Sequence, residues 1–337
     1  MKALRWGGPN VMTCEQVPQP TPGPGEAVVS VHRVGICGSD VTAYRGRMGI
    51  VRPGDVRGHE LAGIVTAVGD AADRVWVDAQ VAANPIVTCG QCWACLRGQD
   101  NLCAELQIIG VHRPGAFAEQ VVVPVVNLTS LSGMDFDYAA TAEPLAQACH
   151  DVGLALPAQP EAVLIIGAGS IGSLVVQAVR LAEIDQITVV EPSSVRRVFA
   201  ESVGASIAVD SLKSAGPIAG RRAQGGFDVV FDIVGAPQTR RAAVELTRNG
   251  GQVVLVGLHG EEGDLPWLSV VRREITVTGA NCFTRADFDR AVSWLGKGRI
   301  RLSDDARYVA LAEGPKVFAE LAGDQPRGGK TYITPLG

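Results

Sequence analysis

Charge is scarce in this sequence: Asp, Glu, Lys and Arg together make up 19% of the 337 residues, where about a quarter is usual. The formal balance is −5, and the basic residues are scattered rather than clustered. There is no electrostatic footprint for nucleic acid or an anionic membrane, so neither is expected as a partner. Long hydrophobic runs are missing too. The most apolar stretch, 162–182, is interrupted by Gly167, Gly169, Ser170, Gly172, Ser173 and Gln177, far short of the ~20 apolar residues a membrane span requires. The N-terminus MKALRWGGPN lacks the apolar core of a signal peptide. A cytoplasmic protein is expected. Glycine is abundant instead, with 40 residues, about 12% where ~7% is average. The length sets a prior of two domains.

The first 130 residues read as short β runs at 27–31, 61–68, 81–83 and 117–123, separated by Gly and Pro. From about Pro144 the texture changes. Short apolar strands at 163–166, 187–190, 228–232 and 252–256 alternate with helix-period segments such as 173–182 and 195–203, the pattern of a parallel α/β sheet. After 275–278 the chain returns to a helix at 285–295 and a last strand near 331–333. No repeat of fixed period interrupts this order.

Of eight cysteines, four fall within fifteen residues: Cys89, Cys92 and Cys95 at intervals of three, then Cys103 eight residues on. Four thiolates in one loop meet the demand of Zn²⁺ for four soft, tetrahedral ligands with no open position, which argues a structural site. Two disulfides and an iron–sulfur cluster are the competing readings.

Gly167-Ala168-Gly169-Ser170-Ile171-Gly172 follows one predicted strand and opens a helix, and Glu191 closes the next strand 24 residues beyond Gly167. Gly167 suits the tight turn, Gly169 the approach of a pyrophosphate, and Gly172 close helix packing. Glu191 can accept the adenosine ribose hydroxyls and would repel a 2′-phosphate, which favours NAD over NADP. Arg196 and Arg197 stand nearby as counter-evidence, or as a solvated helix face.

A third signal is dispersed: Cys37-Gly38-Ser39-Asp40, Gly58-His59-Glu60 and Glu143-Pro144. Each alone is bland. Together they offer thiolate, imidazole and carboxylate, the three-ligand set of a catalytic zinc that keeps one position open.

Taken in order with Asn84-Pro85, Glu143-Pro144-Leu145-Ala146 and Gly257, these motifs resemble the zinc-dependent medium-chain dehydrogenase/reductase family across essentially the whole chain, nearest its polyol, threonine and cyclitol branch. The resemblance implies a GroES-like β domain, 1–145 with 282–337 returning to it. A Rossmann doubly wound domain, 146–281, is inserted, and the active site lies in the cleft between them. It implies Cys37, His59 and Glu143 as catalytic zinc ligands, with Glu60 beside the metal as an inner or outer ligand. Cys89, Cys92, Cys95 and Cys103 would hold the second of two zinc ions. Ser39 matches the hydroxyl that passes the substrate proton. Thr42 occupies a position where the family commonly has a relay histidine, so the outer proton path is expected to run through the ribose hydroxyls, water, Tyr44 or Thr42 itself. The implied cofactor set is Gly167, Gly169, Ser170, Ile171, Gly172, Glu191 and Arg196, with Lys330 near the pyrophosphate. Family members that bind polyols carry an arginine in the stretch matching 281–283; this chain has none there. His112 reads as a solvated loop residue or a substrate neighbour, and His150 as structural.

The implied activity is hydride transfer from a secondary alcohol of a polyol, sugar or cyclitol, including aminocyclitols, to NAD⁺ in a homodimer or homotetramer. The alternatives are a threonine-type or other alcohol dehydrogenase, or a non-catalytic protein that keeps zinc and nucleotide as scaffold. A complete ligand set argues against the scaffold.

Overall fold

The computed structural model describes residues 1–337 except 223–224, 259, 261–262, 324–328 and 337. The chain divides into two compact units, Met1–Glu143 with Thr284–Gly337, and Pro144–Phe283. The seams thus fall two residues from the positions expected from sequence.

The first unit is built on a seven-stranded sheet. Its order is Arg307–Ala310, Thr331–Thr334, Glu26–Gly35, Glu60–Val68, Gln80–Ala83 and Leu128–Ser130, with Gln120–Pro124 also paired to Glu26–Gly35. Valines at 28, 29, 31 and 34 are buried, so the central strand is covered on both faces. A separate antiparallel hairpin, Lys2–Gly8 with Val11–Gln16, turns at Pro9 and Asn10, the latter with φ of 60°. The core gathers Leu4, Tyr44, Phe117 and Phe318, with Phe117 edge-on to Phe318 at 5.5 Å. The helix Gly314–Leu321 approaches so closely that a Cβ on Gly314 would lie 2.3 Å from Leu4 Cδ1.

Register in this sheet places the functional residues. Gly35 pairs with Glu60 on one side and Tyr332 on the other, so Glu60 and Lys330 converge over Gly35. A Cβ there would sit 2.1 Å from Glu60 Oε2 and 2.8 Å from Lys330 Cε, and glycine alone leaves the room.

The second unit carries six parallel strands, Ala162–Ile166, Gln186–Val190, Ile207–Val209, Phe227–Asp232, Thr247–Leu255 and Thr276–Gly279. Numbered in that order they lie 3-2-1-4-5-6 across the sheet, the order of a doubly wound dinucleotide fold, with its switch point beside the first strand. Leu164, Ile166, Phe227, Val230 and Val253 form its core with Ala243 and Val244 of the helix Pro237–Leu246. The helix expected at 173–182 begins earlier, spanning Ser170–Leu181 with Gly169 at its N-cap, because the glycine turn itself launches it. The strand expected at 117–123 is shorter and later, Gln120–Pro124, since 115–117 bonds instead to 56–58. No helix among the described residues is long and apolar enough to cross a membrane.

Candidate active site

The four-cysteine loop folds on itself through short 3₁₀ turns, Cys95–Arg97 and Asp100–Leu102, with Gly90 and Gly98 in the left-handed region at φ of 70° and 69°. All four sulfurs lie within 4.8 Å of one another. Cys92 to Cys95 and Cys89 to Cys103 are each 3.5 Å. A disulfide needs about 2.05 Å, so these are free thiols. A zinc tetrahedron with ~2.3 Å bonds has edges of about 3.8 Å, close to what is found. Backbone N–H groups of Cys89 and Glu105 donate to Cys103 Sγ at 3.3 and 3.4 Å, ready to support a thiolate. The Cys92 thiol is lowered to about 6, first by the backbone N–H of Cys95, whereas burial and its thiol neighbours push Cys95 up to about 11. Trp93 takes no part; Arg97 lies over its ring at 4.4 Å. Asp100 accepts from the backbone N–H of Arg285, tying the loop to the start of the helix Arg285–Gly296. Cys95→Ser is therefore expected to lose one zinc per chain and to lower the melting temperature, because a closed site contributes folding energy. Metal analysis with calorimetry checks it; an unchanged zinc content and melting curve would show that the loop holds no metal.

The second group assembles at one end of the large sheet. Cys37 lies between the strand Glu26–Gly35 and the helix Gly38–Tyr44, and His59 immediately precedes the strand Glu60–Val68. Gly58 between them has φ of 98°, and a Cβ there would meet Phe117 N at 2.8 Å. Ligand atoms of Cys37, His59 and Glu60 lie within 4.8 Å of one another. His59 is 5% exposed and Glu60 1%. His59 Nδ1 is buried without a hydrogen-bond partner. Lys330 Nζ reaches both oxygens of Glu60, at 2.6 and 2.5 Å.

Glu143, expected as the third ligand, lies outside this tight trio, yet close enough for its charge to matter. Burial, then Glu60 and Cys37, push its carboxyl up to about 8 against the opposing pull of His59 and Lys330. Burial, Glu60 and Asp40 likewise push the Cys37 thiol up to about 11. Two acids that resist ionisation beside a buried imidazole make a donor set suited to a divalent cation, which would relieve their repulsion.

The resemblance implies a place for Lys330 near a cofactor pyrophosphate; in the structure its ammonium pairs with Glu60. Asp40, quoted within a motif but given no role, proves central. It is wholly buried, its Oδ2 accepts from Cys37 N at 3.0 Å, and its Oδ1 lies 3.8 Å from His59 Nδ1. A carboxylate behind a metal-binding histidine orients the ring.

Ser39 lies in the first turn of the Gly38–Tyr44 helix, where its hydroxyl opposes the upward shift of the Cys37 thiol. Thr42 Oγ1 bonds back to Gly38 O at 3.1 Å, so its proton is spent on its own helix. Thr42→Ala should then alter turnover by less than about threefold, against the 10²–10⁴ typical of a lost proton-transfer group; a larger loss in steady-state kinetics would restore Thr42 to the relay.

In the second unit the glycine turn meets its expectations locally. Gly167 has φ of 96°, and a Cβ on Gly172 would lie 2.0 Å from Gly167 O, so both positions demand glycine. A Cβ on Gly169 would touch nothing within 4 Å. That opening, at the N-terminus of the helix Ser170–Leu181, fits a close-lying pyrophosphate, with Ser170 and Ile171 forming the helix's first turn. Glu191 is 5% exposed; Ala168 N and Ser193 N each donate to it at 2.9 Å. Each oxygen keeps a lone pair for a ribose hydroxyl. Arg196 lies 3.9 Å from Glu191, while Arg197 is held by the carbonyls of Glu191 and Pro192 at 2.7 Å. Asp232, which the sequence did not single out, is buried at the end of its strand and accepts from Val234 N, Gly235 N and Thr239 Oγ1. It fixes the loop in which Gly235 abuts Gly257, where a Cβ would fall 1.9 Å from Gly257 O.

Residues 23–133 match the alcohol dehydrogenase GroES-like domain, and residues 170–297 match the zinc-binding dehydrogenase domain. The chain belongs to the zinc-dependent medium-chain dehydrogenase family. It is 34% identical over 321 residues to an L-galactonate-5-dehydrogenase of Escherichia coli K12, covering 90% of this chain and 93% of that one. An L-threonine 3-dehydrogenase of Saccharopolyspora erythraea is 35% identical over 272 residues, 78% of each chain. A zinc-binding dehydrogenase of Sinorhizobium meliloti 1021, solved with NADP bound, superposes with a TM-score of 0.89 at 32% identity, over 99% of both chains. The fold is thus a GroES-like β domain with a Rossmann domain.

Proposed function

We propose that this dehydrogenase oxidises a secondary alcohol of a polyol, a sugar-derived acid or a cyclitol, with NAD⁺ as hydride acceptor. The observation that carries this reading is the buried trio Cys37, His59 and Glu60, with Glu143 and the Ser39 hydroxyl beside it. Lewis-acid polarisation of an alcohol oxygen is what zinc supplies when bound there, and hydride acceptance is what a nicotinamide supplies. Cys37 and His59 would hold that zinc, with a carboxylate from Glu143 or Glu60. A zinc in the loop of Cys89, Cys92, Cys95 and Cys103 would be structural. Asp40 keeps the Cys37 backbone and the His59 ring in place. Lys330 balances the charge of Glu60. Ser39 would accept the proton of the substrate hydroxyl and pass its own to water as the carbinol hydrogen leaves with its electron pair for the nicotinamide, so the alcohol becomes a ketone and one proton reaches solvent. A carboxylate among the donors suits a polar, hydroxyl-bearing substrate. The likeness to an L-galactonate dehydrogenase favours sugar acids, and that to an L-threonine dehydrogenase supports a second reading, a β-hydroxy amino acid. Reduction of NAD⁺ against sugar alcohols, aldonates, inositols, aminocyclitols and threonine separates them, the class with the highest kcat/KM being the substrate class.

Glu191 supports NAD, since its carboxylate would repel a 2′-phosphate. Glu191→Gln removes the charge and keeps one of the two oxygens that accept from Ala168 N and Ser193 N. With Arg196 alongside, the ratio of kcat/KM for NAD to that for NADP should fall about tenfold, the value of one charge-assisted bond of roughly 1.5 kcal/mol. An unchanged ratio would place the discrimination elsewhere. A homodimer or homotetramer is supported by apolar Trp267, Leu268 and Val271, all more than 60% exposed, on the helix preceding the edge strand Thr276–Gly279. The exposed thiol loop suits a reducing, cytoplasmic setting.

A further inference from the structure

We propose that Arg57 is a positioning residue for the catalytic metal group, acting through Asp40; the inference rests on Cys37 and His59 being zinc ligands. Arg57 is 2% exposed, and it is the bulkiest of the fully buried side chains. An arginine is almost never buried unless paired. Its Nε donates to Asp40 Oδ1 at 3.3 Å, and its Nη2 to Met48 Sδ at 3.7 Å. The same Asp40 carboxylate accepts from Cys37 N and faces His59 Nδ1. One buried anion thus touches the main chain of one metal ligand and the ring of another, and Arg57 is the cation that compensates it.

The guanidinium is held from behind as well as in front. Phe117 N donates to Arg57 O at 2.8 Å, Gly115 N to Val56 O at 2.8 Å, and Ala116 N to Gly58 O at 2.9 Å, which fixes the backbone from which it reaches. A Cβ on Gly115 would fall 2.5 Å from Arg57 O, so the two segments are in direct contact. Arg57 and His59 address the same oxygen of Asp40. The guanidinium therefore does two things: it keeps the carboxylate from swinging away from Cys37 N, and it draws charge from the oxygen that faces His59 Nδ1 at 3.8 Å. Both act on how firmly the site holds its metal. An apolar residue of equal bulk would fill the space but leave Asp40 uncompensated.

The full-length chain is compared as wild type, Arg57→Leu, Arg57→Lys and the double variant Arg57→Leu/Asp40→Asn. Zinc per chain is measured after graded exposure to a chelator, together with the melting temperature. The wild type should hold two zinc ions. Arg57→Leu should release one of them at about tenfold lower chelator, the low end of the range for residues supporting metal ligands, while the other is retained as in the wild type. The double variant leaves no buried charge unpaired, so it should hold its zinc better than Arg57→Leu, though below the wild type because the Asp40 carboxylate is gone; Arg57→Lys should also fall between. A structural role alone would lower the melting temperature without selecting one zinc. The proposal is overturned if folded Arg57→Leu keeps both ions like the wild type, or if the double variant loses zinc as readily as Arg57→Leu. Should Arg57→Leu fail to fold, Arg57→Lys decides: release of one ion at lower chelator than the wild type supports the proposal, and wild-type retention of both ions overturns it. A wild type holding a single zinc ion would overturn the metal-site reading itself, a result distinct from two ions held equally by every variant.

Discussion

Replacing His59 by alanine should lower kcat/KM for alcohol oxidation by roughly 10³-fold or more, while the protein stays folded and loses one zinc per chain. The magnitude follows from the several kcal/mol of charge stabilisation a Lewis acid contributes, at about 1.4 kcal/mol per decade of rate. His59 is 5% exposed and contributes an imidazole that no neighbouring residue replaces in the trio with Cys37 and Glu60. Binding of the nicotinamide cofactor, proposed to rest on Glu191 and the glycine turn, should be unaffected. Retention of more than about a tenth of wild-type turnover, at normal melting temperature, would remove the imidazole from the chemistry.

Ser39→Ala comes next in size, at about 10² to 10⁴ in kcat, the range for loss of a positioned proton-transfer group. Ser39 is not among the grouped donors Cys37, His59 and Glu60, so the substitution leaves those three residues in place. Zinc content should remain at two per chain, and the loss should appear in kcat with little change in cofactor affinity. A variant that lost zinc along with activity would instead make Ser39 a support for Cys37. Contrast with Thr42→Ala isolates the effect, because Thr42 gives its proton to Gly38 O.

What could be read from the residues, and what could not, divides along physical lines. The grouping of both candidate metal clusters was legible because such chemistry is written in residue type: four cysteines at short spacing, and a Cys, a His and acids that no apolar core would collect. The glycine turn was legible because Gly167 and Gly172 have no sterically allowed substitute. The role of Lys330 was not, because it depends on register: Gly35 pairs with both Glu60 and Tyr332, and only that brings 60 and 330 together. Asp40 and Arg57 escaped for a related reason. A buried ion pair has no periodicity, and in sequence each looks like an ordinary surface charge. Strands that are short or half-buried, Ile207–Val209 and Arg307–Ala310, were also missed, since three or four residues give alternation little room. The N-terminal hairpin was missed as well, with Gly7, Gly8 and Pro9 reading only as punctuation.

The most direct measurement of the central claim is reduction of NAD⁺ by protein of known zinc content, presented with the panel of sugar alcohols, aldonates, cyclitols and threonine. Protein carrying two zinc ions per chain should reduce NAD⁺ with at least one secondary alcohol of the panel, in proportion to occupancy of the Cys37–His59 site and with the carbinol hydrogen transferred to the nicotinamide. Equal turnover by protein whose Cys37–His59 site has been emptied, or no turnover with any alcohol by the fully loaded protein, would contradict the account.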